Sequence, residues 1–356
     1  MNLTTTVSFP GLGIDAFSMN KVAFSIGDVE VRWYGVVITL GIVLAFLYAF
    51  WRGKRNEGIV FDDVIDIGLW TVILGVIGAR LYYVLTTLNA PGHSYKNLID
   101  VIAVWEGGLA IYGGIIGGCL GIFIACRIKK LDVRRAFDMI APGVMIAQAL
   151  GRWGNFFNGE AHGYPIAETT RFYFLNAEHT LPSGEGTLFH TLRMGLSHSS
   201  NPDSISFYYH PTFLYECLWN LLGFALINLF YKHKKFHGQI AILYFTWYGF
   251  GRMLIEGFRT DSLFIPGTTL RISQCLGLAC FTVGLIAVVV FTWILPAVRE
   301  LKGGAASVAV IGEAAPVTEE EESNEPSVPE ATDASEESEL PLQTTESEDK
   351  KNGNAD

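Results

Sequence analysis

Long apolar stretches separated by short polar segments dominate the first three hundred residues of the chain. Seven of these stretches approach the roughly 20 residues that an α-helix needs to cross a bilayer. Glycine and charged residues interrupt the second, third and fourth, so hydropathy alone ranks these three lowest. The sequence predicts an all-α fold, a polytopic membrane helix bundle of about seven transmembrane helices. The predicted spans are residues 34–51, 65–86, 103–126, 137–156, 212–231, 238–256 and 272–298.

Lysine and arginine are distributed unevenly between alternate connecting segments, and this asymmetry predicts the orientation. Four segments, which follow the first, third, fifth and seventh spans, are short and hold thirteen positive residues. The alternate segments are much longer in total and hold seven. Because positive loops stay in the cytoplasm, the amino terminus is expected outside and the carboxyl terminus inside. An odd number of spans puts the two termini on opposite sides of the membrane, which agrees with this orientation.

Three regions lie outside the predicted spans. Residues 1–33 form an extracytoplasmic N-terminal arm, and residues 158–210 form a small extracytoplasmic head inserted into the seven-helix body of residues 34–298. The segment 303–356 carries acidic runs with scattered proline, serine and threonine, so it cannot bury enough apolar surface to fold. It is predicted to be a disordered acidic cytoplasmic tail.

Composition supports a membrane protein and excludes several other classes. Half of the residues are hydrophobic and 17% are charged, which is too apolar for an ordinary soluble domain. The net charge of −10 comes from the tail, and the remainder is mildly basic, which does not indicate nucleic-acid binding. The five cysteines lie in apolar segments without close pairs, which indicates neither a disulfide framework nor a metal site. No cofactor is predicted.

Ionisable side chains inside or at the ends of the apolar spans are the main indication of function. Arg costs about 2.5–3.5 kcal/mol at the centre of a membrane helix on insertion scales. Most of these charges fall toward the external ends of their spans, which suggests one polar cavity near the outer leaflet. The alternative is a set of ion pairs that brace separate helices. The residues concerned are Arg80, Arg152, Arg252, Glu106, Glu160, Glu216 and Glu256, and Arg259 continues the face of Arg252 and Glu256.

The densest polar cluster is the string GRWGNFFNGEAHG at residues 151–163. Its four glycines allow close backbone approach and leave amide groups free to face a ligand. Arg152 offers a planar fork that suits phosphate oxygens, and Asn155, Asn158 and Glu160 can orient hydroxyl groups. The string therefore predicts a pocket for a lipid headgroup. Trp33 and Tyr34 fit two interpretations equally well, a place in such a pocket and an aromatic belt at the membrane interface.

This string closely resembles the signature of the bacterial prolipoprotein diacylglyceryl transferase family. Further stretches match the same family in the same order, and the resemblance covers residues 33 to about 295. The acidic tail has no expected counterpart. The matching stretches are residues 32–35, 78–81, 106–108 with 112–114, 210–216, 251–256 with Arg259, and 272–274.

The resemblance implies a reaction, its partners and its location. Such enzymes transfer the diacylglyceryl group of phosphatidylglycerol to a cysteine thiol in the lipobox of a preprolipoprotein, so the expected partners are phosphatidylglycerol and preprolipoprotein signal peptides with a lipobox cysteine. Glycerol phosphate is released, and no cofactor is required. The protein is then expected in the bacterial cell membrane as a multi-pass enzyme.

The resemblance also assigns roles to individual residues. The expected catalytic residues are Arg252 at the leaving phosphate, Glu256 orienting it, Tyr34, Tyr112 and Glu160. The expected phosphatidylglycerol-binding residues are Arg152, Asn155, Asn158, Gly163, Arg259, Arg80 and His210.

One position departs from the family pattern. Many members carry a histidine, proposed as the base for the thiol, where this sequence has Tyr112. Tyrosine, with a reference pKa near 10, is a poor base at neutral pH. Either Tyr112 hydrogen-bonds while arginines stabilise the thiolate, or His162, His210 or Glu160 takes the proton. For the two histidines, ordinary structural hydrogen bonding is the favoured interpretation.

Two other classes share some of these features. A transporter for an anionic solute also places charges in a polar cavity, but it predicts an inverted repeat and midplane charges. Another phospholipid-headgroup enzyme would need a histidine nucleophile or an aspartate-rich metal motif. The sequence displays no such repeat and no such aspartate cluster.

Overall fold

Nine α-helices form most of the described structure, a computed structural model that covers residues 4–88, 95, 97–199 and 201–298. The tail predicted for residues 303–356 lies outside these ranges. The helices are α1 (Trp33–Arg52), α2 (Phe61–Thr87), α3 (Leu98–Ile102), α4 (Ile111–Lys129), α5 (Val133–Asn158), α6 (Leu188–Leu192), α7 (Thr212–Phe230), α8 (Gln239–Ile255) and α9 (Ile272–Val289).

Five helical segments are long and apolar enough to cross a membrane. They are Trp33–Glu57, Phe61–Thr87, Ile111–Lys129, Thr212–His233 and Ile272–Val298. The predicted fourth and sixth spans correspond to α5 and α8, which are helical but outside this group. Helix α5 is 26 residues long and carries charged residues at both ends, whereas α8 is 17 residues long and slightly short for a span.

The predicted third span begins too early. Residues 103–126 were expected to be one helix, but α4 starts at Ile111. Gly107 and Gly108 have φ angles of 89° and 72°, a left-handed conformation that an α-helix cannot continue through. The preceding residues instead form α3 and a short 3-10 turn, Val104–Glu106.

The all-α prediction is confirmed in that the described chain is mostly helical, and it is corrected by eight short strands. The strands are β1 (Thr4–Phe9), β2 (Ile14–Asn20), β3 (Val22–Ile26), β4 (Val29–Arg32), β5 (Thr169–Phe174), β6 (Ala177–Pro182), β7 (Met194–Ser197) and β8 (Tyr208–Tyr209).

Strands from the predicted N-terminal arm and the predicted head insertion join in one sheet. Its order is β2-β1-β7-β8, and β1 pairs antiparallel with β7, Val7 opposite Leu196. The other four strands form two separate antiparallel hairpins, β3–β4 and β5–β6. The arm and the head are therefore one structural unit, at the end of the bundle where α5 ends and α7 begins. We call this the sheet end.

Helix α5 lies at the centre of the bundle and packs against α1, α7 and α8. Its Pro142 and neighbouring small residues let other backbones approach, as where Gly143 faces Ala45 of α1. Helix α2 packs along α4, and a side chain at Gly113 or Gly117 would collide with carbonyls of α2. Small residues at such seams allow the close packing on which helix association in membranes depends.

A buried polar network lies at the end of the bundle opposite the sheet. Lys234 Nζ contacts Glu57 Oε1 at 2.5 Å and Asp138 Oδ2 at 3.1 Å. Tyr231 donates to Glu57 Oε1 at 2.6 Å, and Asp138 also accepts the backbone N–H groups of Gly238 and Ala241. We call Lys234, Glu57, Asp138 and Tyr231 the lysine cluster. It joins the segments that connect α1 to α2 and α7 to α8.

Candidate active site

Three arginines converge at the sheet end of the bundle. Arg152 lies near the end of α5, Arg252 near the end of α8, and Arg259 just beyond the 3-10 turn Glu256–Phe258 that follows α8. Arg152 and Arg252 had been predicted to share a cavity, and the structure brings them together. We call these three residues, with Glu216 and Glu256, the arginine cluster.

Glu216 is the centre of this cluster. Its carboxylate accepts Arg152 Nη2 at 2.7 Å, Arg252 Nη1 at 3.0 Å and Arg259 Nη1 at 3.1 Å. Glu216 projects from the first turns of α7 and is 4% exposed. The sequence identified it only as one acid among several at membrane depth. Its central position depends on how α7 crosses α5 and α8, which spacing along the chain does not reveal.

Glu256 directly follows α8 and is the second buried carboxylate of the cluster. Its Oε2 lies 2.7 Å from Arg252 Nη2, the pair that the four-residue spacing predicts, and 3.9 Å from Arg259 Nε. The backbone carbonyl of Glu256 accepts Arg271 Nη1 at 2.8 Å. Gln274 in turn donates to the carbonyl of Met253 at 2.9 Å. The residues 271–274 thus hold the end of α8 in place, a role the sequence did not suggest.

Positive charge exceeds negative charge inside the cluster. Three guanidinium groups share two buried carboxylates, and the further partner of Arg259 is Asp261, whose side chain is 46% exposed. The Arg152 side chain is 22% exposed, so it is reachable from outside the cluster. Among the described residues, no acceptor is assigned to Nε of Arg152 or Arg252. An anion with several oxygens, such as a phosphate, would complement this arrangement.

The polar residues of the 151–163 string extend outward from Arg152. Arg152 Nη1 lies 3.4 Å from Asn155 Oδ1, and Asn155 Nδ2 donates to Glu160 Oε1 at 3.2 Å. Asn158 Nδ2 reaches the same oxygen at 3.1 Å. Asn155, Asn158 and Glu160 therefore form a hydrogen-bonded rim next to the arginine cluster.

Two glycines of the string are fixed by close packing. A side chain at Gly163 would meet His210 Cβ at 2.6 Å and the Phe258 carbonyl at 2.8 Å, and Gly163 pairs with Arg259 in an isolated antiparallel bridge. A side chain at Gly154 would meet the ring of Tyr34 at 2.8 Å. Tyr34, at the start of α1, therefore lies against α5 within one turn of Arg152, whereas Gly163 positions the backbone beside Arg259.

His210 is a fully buried residue with both ring nitrogens engaged. Nδ1 lies 3.1 Å from the Tyr215 hydroxyl and Nε2 lies 2.9 Å from Thr170 Oγ1. Burial lowers the pKa of His210 from 6.5 to about 4, which keeps the ring neutral. These contacts match the structural interpretation of His210 and leave it no free nitrogen for a lipid. His162 is half-buried, with Nδ1 3.1 Å from the Gly163 carbonyl oxygen.

Arg80 binds backbone carbonyls rather than joining the arginine cluster. Nε donates to the Val101 carbonyl at 2.8 Å, Nη2 to Asp100 at 2.7 Å, and Nη1 to Gly107 and Gly108 at 2.6 and 3.1 Å. Every nitrogen of the guanidinium group is thus engaged in ordering residues 98–108. A phosphate would have to replace these bonds, so the geometry favours a positioning role for Arg80.

Tyr112 lies in the first turn of α4, directly after the segment that Arg80 orders. Its half-buried ring is 6.3 Å from that of Tyr82 on α2. Tyr112 therefore stands on the α2–α4 side of the molecule, and Arg80 helps to determine where it is placed. Within the described ranges, no group of three or more metal-ligating side chains is found.

Comparison with known proteins connects this geometry to one family. The family model described as prolipoprotein diacylglyceryl transferase matches residues 21–290, which include every member of the arginine cluster. The chain belongs to this family. The relation covers nearly all of the described structure except the first two strands.

Relatives within the prolipoprotein diacylglyceryl transferase family are similar over most of their length. A phosphatidylglycerol–prolipoprotein diacylglyceryl transferase of Lactobacillus delbrueckii subsp. bulgaricus is 43% identical over 276 residues, 77% of this chain and 90% of the relative. One from Clostridium perfringens is 39% identical over 274 residues, 76% and 94% respectively. One from Staphylococcus aureus is 37% identical over 278 residues, 78% and 91%. The recognised motifs therefore belong to a whole enzyme scaffold of this family, and the chain is a multi-pass membrane protein of a transferase family.

Proposed function

We propose that this protein transfers the diacylglyceryl group of phosphatidylglycerol to the lipobox cysteine of a preprolipoprotein, the first step of bacterial lipoprotein maturation. The observation that carries the proposal is the convergence of Arg152, Arg252 and Arg259 on one buried carboxylate. A bundle that needed only bracing could pair each cation with its own acid. Here the cations outnumber the buried acids. The chain also belongs to a family whose named members act on an anionic lipid.

The reaction requires stabilisation of a departing phosphate. A carbon–sulfur bond forms between the cysteine sulfur and the glyceryl carbon, while the bond from that carbon to the phosphate oxygen breaks. The thiol proton leaves to a base or to solvent, and glycerol phosphate departs with the bonding electron pair. Negative charge accumulates on the leaving oxygen, so guanidinium groups already placed there lower the barrier.

The cluster suggests separate tasks for its members. Arg152 and Arg252 bind the phosphate, because the Nε–H group of each has no hydrogen-bond acceptor among the described residues. Arg259 adds positive charge. Glu256 and Glu216 orient the guanidinium groups and prevent three like charges from repelling one another in a medium of low dielectric constant. Asn155, Asn158 and Glu160 form the rim that would receive the glycerol hydroxyls, and Tyr34 closes the side next to α5.

Three arrangements can remove the proton from the thiol. Glu160 lies on the rim at hydrogen-bond distance from two amides, and His162 is half-buried nearby in sequence. The third arrangement is a thiolate that the arginines stabilise directly, with Tyr112 as a hydrogen-bond partner. The burial and full hydrogen bonding of His210 argue against it as the base.

The proposal includes a membrane arrangement. We place α5 and α8 in the bilayer with the five long apolar helices, which gives seven spans in the bacterial cell membrane. The sheet end and the amino terminus face the outside, where the lipobox of a translocated preprolipoprotein would meet the arginine cluster. The lysine cluster and the acidic tail then lie on the cytoplasmic side, in agreement with the excess of Lys and Arg in the connecting segments on that side.

The decisive experiment is a transfer assay with purified protein. Phosphatidylglycerol vesicles and a lipobox peptide are supplied, and mass spectrometry is used to look for a thioether-linked diacylglyceryl peptide. We expect this product, release of glycerol phosphate, and no product when the peptide cysteine is replaced by serine. Absence of product with correctly inserted protein would refute the proposal.

A further inference from the structure

A groove between α8 and α9 lies outside the arginine cluster. Its volume is about 320 Å³, within the range of about 300–1,000 Å³ that ligand clefts usually have. Ile242 and Phe245 of α8 form one wall, and small α9 residues, among them Ala279, Cys280 and Gly284, form the other. The lining is apolar. The exposure of Phe245 shows that the groove opens on the outer surface of the bundle, where the lipid would be.

The groove exists because α9 presents small residues beside two close helix contacts. A side chain at Gly249 would meet the Gly277 carbonyl oxygen at 2.6 Å, and a side chain at Gly284 would collide with Thr246. These contacts bring the two backbones together along one seam. Cys280 lies on this seam opposite Gly249, and both Ala279 and Cys280 are short, so a hollow remains between them and Phe245.

The groove lies directly below Arg252 on α8. Phe245 precedes Arg252 by seven residues, nearly two helical turns, so the two share a helix face at a separation of about 10 Å. Ile242 lies about 15 Å from Arg252 along the same axis. Tyr248, about one turn before Arg252, lies between the two sites along α8. The groove and the arginine cluster therefore lie one below the other along the same side of α8.

We propose that this groove holds an acyl chain of the lipid whose phosphate the arginine cluster binds. The inference rests on the proposed function and adds to it a subsite for the hydrocarbon part of the substrate. The phosphate binds at Arg252, and one chain extends past Tyr248 and lies between Phe245 and Ala279. A signal-peptide helix is excluded as the occupant because a helix about 10 Å across is too wide for this volume.

An acyl-chain subsite makes the enzyme sensitive to chain length. A chain that reaches 10–15 Å below the phosphate gains contacts with Phe245 and Ile242, whereas a short chain ends before them. Contacts of this kind discriminate by about 10–200-fold per methylene in a tight pocket and by less in an open groove. We therefore expect long-chain phosphatidylglycerol to be used better than dioctanoyl phosphatidylglycerol.

Photocrosslinking tests occupancy directly. Phosphatidylglycerol that carries a diazirine in the distal half of one acyl chain is incorporated into vesicles with the full-length protein, irradiated, and mapped by peptide mass spectrometry. We expect adducts on residues 279–287 that decrease several-fold in Arg152→Ala and with a phosphatidylcholine probe. Equal labelling with both probes and in both proteins would mean that bulk lipid alone fills the groove, which would overturn the proposal.

A substitution that fills the groove tests its contribution to turnover. Cys280→Trp should lower kcat/KM for dipalmitoyl phosphatidylglycerol about tenfold and change that for dioctanoyl phosphatidylglycerol little. Ala279→Leu, a smaller change, should reduce the same chain-length preference less. Leu285→Trp is the matched control, since Leu285 lies on the exposed side of α9 away from the groove and should leave both values unchanged.

The outcomes separate this inference from the proposed function. Equal losses with both chain lengths, or no loss with either, would refute the acyl-chain subsite while transfer by the unmodified protein stands. Absence of transfer in the unmodified protein would refute the proposed function. Because crosslinking needs no turnover, it reports on the groove in either case.

Discussion

Two buried charged clusters at opposite ends of the same helices differ in the sign of their excess charge. Arg152 and Arg252 follow Asp138 and Gly238 by fourteen residues on α5 and α8, so about 20 Å separates the clusters. In the lysine cluster, one lysine bridges two acids, with a tyrosine and backbone amides completing the bonds. In the arginine cluster, three cations share two buried acids and Arg152 remains partly exposed.

Buried charge therefore serves a different purpose at each end of the bundle. The lysine cluster, in which two buried acids share one lysine, joins chain segments and gives shape to the bundle, although buried ion pairs contribute little net stability compared with apolar packing. A cluster with excess positive charge and an open side keeps an unmet need for an anion. The first arrangement is expected to affect folding, and the second to affect chemistry.

The largest effect is expected when the lysine cluster loses its cation. Lys234→Met leaves Glu57 and Asp138 buried without a counter-charge, which should cost about 3–5 kcal/mol of stability. The melting temperature in detergent measures this loss. The surviving folded fraction should keep its kcat/KM, because the cluster is remote from the transfer site. Lys232→Met, a change of the same type on a neighbouring exposed lysine, is the control.

Removing a phosphate ligand from the arginine cluster should give the reverse pattern. Arg152→Ala is expected to lower kcat/KM about 10²–10³-fold, the usual cost of losing one donor at a developing negative charge. Glu216 keeps two arginine partners, so the melting temperature should change little. Arg134→Ala, which removes an exposed arginine near the opposite end of α5, should leave transfer intact. Full activity in Arg152→Ala would remove this arginine from the mechanism.

Arg80 tests whether a buried arginine outside both clusters acts through position. Arg80→Lys cannot reproduce four bonds to separate carbonyls, and losing hydrogen bonds from a charged group costs about 1.5–3 kcal/mol each. We expect faster hydrogen exchange in residues 98–108, with a smaller loss of kcat/KM than in Arg152→Ala. Unchanged exchange in this segment would contradict the positioning role.

The smallest effect concerns pH and the sheet end. Because the pKa of His210 falls to about 4 in the folded protein, the unfolded chain binds more protons between pH 6.5 and 4. His210 therefore contributes stability above pH 6.5 that is lost as the pH falls toward 4, about 2 kcal/mol by pH 5. The melting temperature should decrease over this range, and less so in His210→Gln. An unchanged pH profile in that variant would assign the decrease to other groups.

The sequence predicted the parts of the site that local spacing determines. Arg252 and Glu256 are one helical turn apart, and Arg152, Asn155 and Glu160 are close along the chain, so their proximity follows from α-helical geometry. Glu216 could be identified only as an acid at membrane depth, because its contacts connect three helices. Arg80 carried the same signal of a costly buried charge as Arg152, and only the fold reveals that backbone carbonyls satisfy it.

The fold was predictable to a similar extent. Apolar length identified the helices, including α5 and α8, whereas the start of α4 was missed although Gly107 and Gly108 mark it in the sequence. The strands were missed because they are short and lie in the arm and the head, where polar and apolar residues are mixed. The pairing of β1 with β7 leaves no local trace, since the partners are nearly two hundred residues apart.

That pairing has a consequence for how the protein is made. At about 5–20 residues per second, roughly 10–40 seconds separate the synthesis of Thr6 from that of its partner Ser197. During that interval β1 can pair with β2, but its other edge stays open to strands of other chains. Completion of the sheet must wait until most of the helices have been synthesised. The amino terminus is thus made first and secured late, and a nascent enzyme is most vulnerable there.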